Sequence, residues 1–227
     1  MGLVLRAERT YWAGPRWETT VPAMPFDFLS SSVPVRPDIL EEFRREWGRL
    51  AQPGPTWTGA ERVSIAAAAR GKPGGDLSET ASSTAGRIYR EPSTISREWV
   101  TSAAEKLGAA RYVELVGVVA RLAAVDFFHQ VIGSPVEPLP EPVPGDPTGE
   151  TDDRARLGKG WVPMVGTTSI VGALSIVPSE MEAQQHLHSP LYLTYEDMAD
   201  VDFQRGLHRS QMELVAARTS AINECFY

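Results

Sequence analysis

An all-α fold is what the sequence predicts, on three observations. Apolar residues recur at helical spacing in several segments, and capping residues stand where those segments open. No stretch alternates apolar and polar residues as a half-buried strand would. Residues 1–37 form an extended arm. Pro15, Pro22, Pro25, Pro34 and Pro37 forbid a long helix there, while Trp12, Trp17, Phe26 and Phe28 call for cover from the body of the protein. Pro37 then serves as a first-turn proline for Asp38–Leu50, where Ile39, Leu40, Phe43, Trp47 and Leu50 share one face. Pro53, Gly54 and Pro55 end that helix.

Thr58 and Glu61 have the spacing of a capping box ahead of the alanine-rich stretch Arg62–Arg70, stopped by Gly71, Pro73 and Gly74–Gly75. Residues 76–91 are Ser/Thr-rich and weakly patterned, and allow a short helix. Ser96 is the N-cap expected for Arg97–Leu107, with Gly108 as its stop. Ala110–Val131 carries the strongest helical pattern, with Val113, Val116, Leu122, Val125 and Phe128 as core candidates. Six prolines between 134 and 150, alternating with acids, make a semi-rigid linker or draped loop. Further helices are expected at about 178–188, about 194–205, and from Ser210 to near Tyr227. Ser210 and Glu213 repeat the capping-box spacing of Thr58 and Glu61.

Composition narrows the function. The 227 residues are 42% hydrophobic and 22% charged, ordinary globular usage. A net charge of -7 with both signs interspersed argues against a nucleic-acid surface, which needs clustered cations. Cys225 is the single cysteine, which excludes an internal disulfide framework and a cysteine-rich metal site. No run of about 18 apolar residues is present to span a membrane, and Gly2–Leu5 is too short for a signal-peptide core. The expectation is a soluble, cytoplasmic protein.

The last fifteen residues carry the most specific signal. Glu213, eleven residues, then Cys225, with Ile222–Asn223 just before the thiol, resembles the entry to the redox motif of the AhpD-like superfamily, the alkylhydroperoxidases and their carboxymuconolactone decarboxylase relatives. That motif reads Glu-x11-Cys-x2-Cys-x3-His. The chain supplies its Glu and first Cys, and stops one residue before the second. The stretch from Thr58 to Arg70 resembles the opening helix of a first, cysteine-less copy. Leu107–Gly133, with Tyr112-Val-Glu-Leu-Val, resembles the helices that close one.

The resemblance implies an AhpD-like helical fold in two copies. Residues 38–133 would be a degenerate first copy, 134–170 a linker, and 171–227 the start of a second copy cut off at its redox motif. It further implies a peroxidase-like oxidoreductase that reduces hydroperoxides through a thiol or selenol, with a thiol reductant and helical homo-oligomers as partners, and without a metal or cofactor. Glu213 is matched to the proton relay and Cys225 to the resolving thiol. The attacking chalcogen falls beyond Tyr227, so the 227 residues alone are expected to lack turnover. A selenocysteine codon read as a stop would produce such an ending.

The chemistry needs a thiolate held below its free pKa of about 8.5 and a second thiol to capture the sulfenic acid. In one straight helix the twelve residues from Glu213 to Cys225 turn about 1200°, leaving their side chains about 120° apart. A break near Ser220–Asn223 is therefore expected. Two rival readings stand beside this one: acid–base chemistry of the lactone-decarboxylase kind without a thiol, and a non-catalytic helical scaffold. Plainer roles also compete at single residues. Glu213 has the spacing to cap Ser210. Glu114, Asp126 and His129 mimic the motif spacing mid-helix, where structural hydrogen bonds are the rule, and His129 reads as a packing histidine. His186 and His188 stand two apart, which puts their rings on different helical faces and argues against a metal pair.

Overall fold

Helix α5, Ala109–Val131, is the axis of the protein, and five other helices pack around it. The computed structural model describes residues 26–28 and 31–222, so Cys225 lies outside the described residues. Around α5 stand α1 (Pro37–Ala51), α2 (Gly59–Ala69), α3 (Glu79–Arg90), α4 (Arg97–Leu107) and α6 (Pro178–Leu191). The short α7 (Tyr195–Ala199), a hairpin of β1 (Gln204–Arg205) and β2 (Leu207–His208), and α8 (Arg209–Ile222) follow α6. Among the described residues the fold is all-α apart from that hairpin of two-residue strands and one isolated bridge, Arg156 to Met164.

Local signals set most boundaries. Thr58 accepts the Glu61 amide while the Glu61 carboxylate takes the Thr58 amide, so the capping box at α2 is complete. Ser96 caps α4, and Gly108, at φ 87°, both stops α4 and leads into α5. The weakly patterned 76–91 stretch forms a full twelve-residue helix, opened by Ser78. Its buried face is Ala81, Thr84, Ala85 and Gly86, small residues that let α3 lie close to α2 and α5.

The expected helix over about 194–205 is much shorter, ending at Ala199. Asp200 turns extended and its carboxylate accepts the Asp202 amide. Gly206, at φ 77°, then reverses the chain into the hairpin. α6 runs past 188 to Leu191 and includes Pro190.

Two apolar clusters fill the interior. The larger joins Phe43, Trp47, Ile65, Leu115, Val119, Val125 and, from α6, Leu187. Fully burying one such side chain contributes about 1.5–3 kcal/mol. The smaller cluster gathers Val100, Ala103, Tyr112, Val113, Leu174 and Val177 at the other end of α5. The proline-rich segment after α5 is draped over the core. Trp47 donates its indole N–H to the Pro138 carbonyl, Arg70 bonds the Glu137 carbonyl, and the Val143, Thr148 and Gly149 amides meet Ala51, Gly54 and Pro55. Phe26 packs completely buried beneath this strap, against Phe43, Trp47 and His129. Segment 171–227, expected to open a second unit, thus sends α6 into the same core, against α1 and α5.

Candidate functional site

Glu213 sits in the second turn of α8 and is not the cap expected from its spacing. The helix opens one residue early, at Arg209, because His208 takes over the capping role. The His208 ring accepts the Ser210 amide, and Gln211 reaches back to the His208 amide. The Glu213 carboxylate is thereby released. Its Oε1 accepts the Tyr192 hydroxyl at 2.8 Å and the Arg209 Nε–H at 2.7 Å. The Tyr192 hydrogen bond, and then Arg209, hold this carboxyl below its ordinary value. Partial burial and then the same carboxylate push the Tyr192 phenol up. A carboxylate and a phenol that share one proton-bearing contact form a unit able to accept or pass a proton.

The helix carrying Glu213 continues unbroken through Ser220 to Ile222, where a break was expected. Thr219 explains part of this continuity: its hydroxyl bonds the Val215 carbonyl, satisfying within the helix a side chain that could have opened it.

The densest polar constellation was not legible in the sequence as a site. Four arginines and four glutamates alternate in one chain from surface to interior. Arg45, 47% exposed in its side chain, meets Glu42 at 2.5 Å. Glu42 meets Arg49 at 2.9 Å, and Arg49 meets Glu46 at 3.1 Å. From Glu46 the chain passes to Arg121, then to Glu180, each step 2.5 Å. Glu180 meets Arg62 at 2.9 Å, and Arg62 meets Glu114 at 2.5 Å. There it ends, with the second Glu114 oxygen taking the Thr56 amide and hydroxyl, each at 2.6 Å.

Two glycines make room for it. A Cβ on Gly117 would stand 2.5 Å from the Glu180 carboxylate, and one on Gly54 would collide with Glu114 and Arg62. A cleft of about 510 Å³ opens beside this chain, between the end of α1, the start of α6 and the strap, lined in part by Arg49, Gly54, Arg62, Thr148, Glu180 and His186. Arg49 donates to His186 Nδ1 at 2.8 Å. A guanidinium has no lone pair to offer, so Nδ1 accepts and the ring proton sits on Nε2.

The chain fixes geometry; it does not carry protons. Its guanidiniums cannot give up a proton, so every second member blocks a relay. Both Glu114 oxygens are occupied, so Glu114 is not poised as a free base. Burial raises the Glu114 carboxyl against the pull of Arg62 and Thr56. At Glu180 burial also raises the carboxyl, but Arg121 and Arg62 outweigh it and hold the group below its ordinary 4.5.

A carboxyl lowered in the folded state contributes stability above its unfolded value, and that contribution is lost as the pH falls through and below 4.5. Glu114 acts in the opposite sense. The Glu180 contribution is therefore read as a difference. The unfolding temperature should drop on acidification more steeply in the native protein than in Glu180→Gln, and equal slopes would contradict the lowered Glu180.

The mid-helix trio that mimics the redox spacing is structural. Asp126 accepts a two-pronged contact from Arg70, at 2.6 and 2.9 Å, and the Tyr89 hydroxyl at 2.7 Å. His129, 1% exposed, bonds the Val125 carbonyl and packs among Phe26, Phe28 and Phe43. His186 faces Arg49, and His188 stacks edge-on to Tyr192. Among the described residues no group of three His, Cys, Asp or Glu side chains could hold a metal ion, and no helix is long and apolar enough to cross a membrane. No protein-family model, no curated protein and no solved structure matches the chain.

Proposed function

We propose that this chain carries the entry to the redox motif of an AhpD-like, thiol- or selenol-dependent hydroperoxide reductase, in which Glu213 relays protons and Cys225 resolves the oxidised attacker. The observation that carries the reading is the release of Glu213 from helix capping. Glu61, at the matching place on α2, spends its carboxylate on the Thr58 cap. Glu213 instead faces a phenol and a guanidinium on the helix that leads, twelve residues on, to Cys225.

In this reading α1 to α5 make a first copy without redox groups, and α6 to α8 open a second. The polar surroundings of Glu213 run against a purely structural scaffold, for which an empty apolar setting would be expected. Leu214, Val215 and Ile222 stand exposed on α8, an apolar surface of the kind that closing helices or a second copy of the chain covers.

The reaction divides between two chalcogens. The attacking one, three positions after Cys225, takes the distal peroxide oxygen and becomes a sulfenic or selenenic acid while the alcohol leaves. Cys225 then displaces water to form the disulfide or selenenylsulfide, and an external thiol reductant returns both groups to the reduced state. Glu213 accepts the proton that the attacker loses and returns one to the leaving oxygen.

The test is hydroperoxide consumption in the presence of a dithiol. The 227-residue chain should oxidise at Cys225 once and stop. The same chain extended by five residues, with a cysteine or selenocysteine directly after Tyr227 and a histidine four positions further on, should turn over. An extended, folded protein that consumes no hydroperoxide would remove the oxidoreductase reading.

A further inference from the structure

The smaller apolar cluster is not filled. Between α3, α4, α5 and the turn Val171–Leu174 lies a cavity of about 260 Å³, walled by Ile95, Val116, Val162, Leu174, Tyr112 and Trp161. The pocket is open on one side, and a water's share of liquid volume is about 30 Å³. This space would take roughly nine non-hydrogen atoms.

One buried polar group borders it. Tyr112 is 3% exposed, and among the described residues its hydroxyl has no hydrogen-bond partner. Burial, opposed by nothing, pushes its phenol up to about 12. The contrast with its counterparts is sharp. Tyr89 bonds Asp126, Tyr192 bonds Glu213, Trp47 bonds the Pro138 carbonyl and Trp57 the Arg111 carbonyl. The Tyr112 hydroxyl bonds no described protein group and opens onto the pocket, where solvent reaches it, so it is free to bond a ligand there.

The outer wall is Trp161, 43% exposed, with the Arg97 guanidinium 5.8 Å from its ring centre and pinned to the Lys159 and Gly160 carbonyls. Entry is therefore on the Trp161 side. The rest of the lining is uncharged, so an ionised ligand would be buried without a counter-ion, and a neutral one is selected.

We infer that this cavity binds a small neutral apolar molecule carrying one oxygen acceptor, a medium-chain ketone or alcohol in class, whose oxygen receives the Tyr112 hydroxyl proton in a hydrogen bond. The apolar remainder fills the space between Val116, Val162 and Leu174. The site is separate from Glu213 and does not depend on the redox reading.

The probe is 2-octanone, with octane as its counterpart lacking the oxygen, followed by calorimetry and saturation-transfer NMR on the whole chain. The ketone should bind and octane should bind more weakly. Tyr112→Phe should weaken the ketone about tenfold, the worth of one neutral hydrogen bond of about 1.4 kcal/mol. It should leave the ligand-free protein about as stable, because the hydroxyl makes no bond to a described protein group. Val116→Phe should fill the space and abolish binding, and Ala173→Leu does the same from the opposite wall should the first variant fail to fold. Absence of ketone binding to the folded protein would overturn the site. So would binding indifferent to both filling variants, or octane binding as well as the ketone. Destabilisation of the ligand-free protein by Tyr112→Phe would show that the hydroxyl already has a partner.

Discussion

Arg121→Met should destabilise the protein by about 3–5 kcal/mol, the usual cost of stripping one member from a buried ion pair. For a chain of this length that lowers the unfolding midpoint by roughly 6–20 °C. Arg121 is wholly buried and bonds Glu46 through Nε and Glu180 through Nη2, so its loss leaves two carboxylates facing each other without their shared cation. Arg121→Lys restores the charge but not the fork that reaches both partners, and should recover only part of the loss.

Gly117→Ala sharpens the test. In an ordinary helix interior that change stabilises by up to about 1 kcal/mol. Here the new methyl would press on the Glu180 carboxylate, and destabilisation is expected. Urea unfolding of the three variants checks this, and a loss below 1 kcal/mol for Arg121→Met would mean the alternating chain is ornamental to the fold.

Glu213→Gln should cut hydroperoxide turnover of the extended protein by about 10²–10⁴-fold, the range of a positioned proton donor or acceptor. The substitution keeps the shape of the side chain and its contacts with Tyr192 and Arg209 within reach, so unfolding should change little. Tyr192→Phe removes the phenol that feeds the same oxygen and should produce a smaller loss. Measuring kcat against pH separates a relay from a merely structural contact. The acidic limb should move toward higher pH in Tyr192→Phe, since the phenol's hydrogen bond is the larger influence holding the carboxyl low. An unmoved limb with full turnover in Glu213→Gln would exclude the relay.

What the sequence could tell followed from where the decisive interactions are local. Ser96 and Gly108 mark the ends of α4 because capping and left-handed stops act within one turn. Pro37 opens α1 for the same reason. The face of α3 escaped notice because Ala81, Ala85 and Gly86 pack closely without the apolar bulk that periodicity detects. At α8 the Ser210 and Glu213 pattern misled: His208 and Gln211 compete for the same amides and win.

The alternating charges were hidden more deeply. Glu42, Glu46, Arg62 and Arg121 carry no motif that marks them, and only the assembly of four helices pairs them with Glu114 and Glu180. Two signals were present. Glu114 stands amid the apolar run Tyr112–Val119, and Gly117 lies mid-helix where no turn requires a glycine. Both mark a place where something polar is brought close.

The most direct measurement of the redox account is the state of Cys225 after one equivalent of hydroperoxide meets the extended protein. Peptide mass spectrometry should find Cys225 joined to the chalcogen three positions on, and Glu213→Gln should slow that joining. Hydroperoxide consumed while Cys225 remains a free thiol would contradict the account.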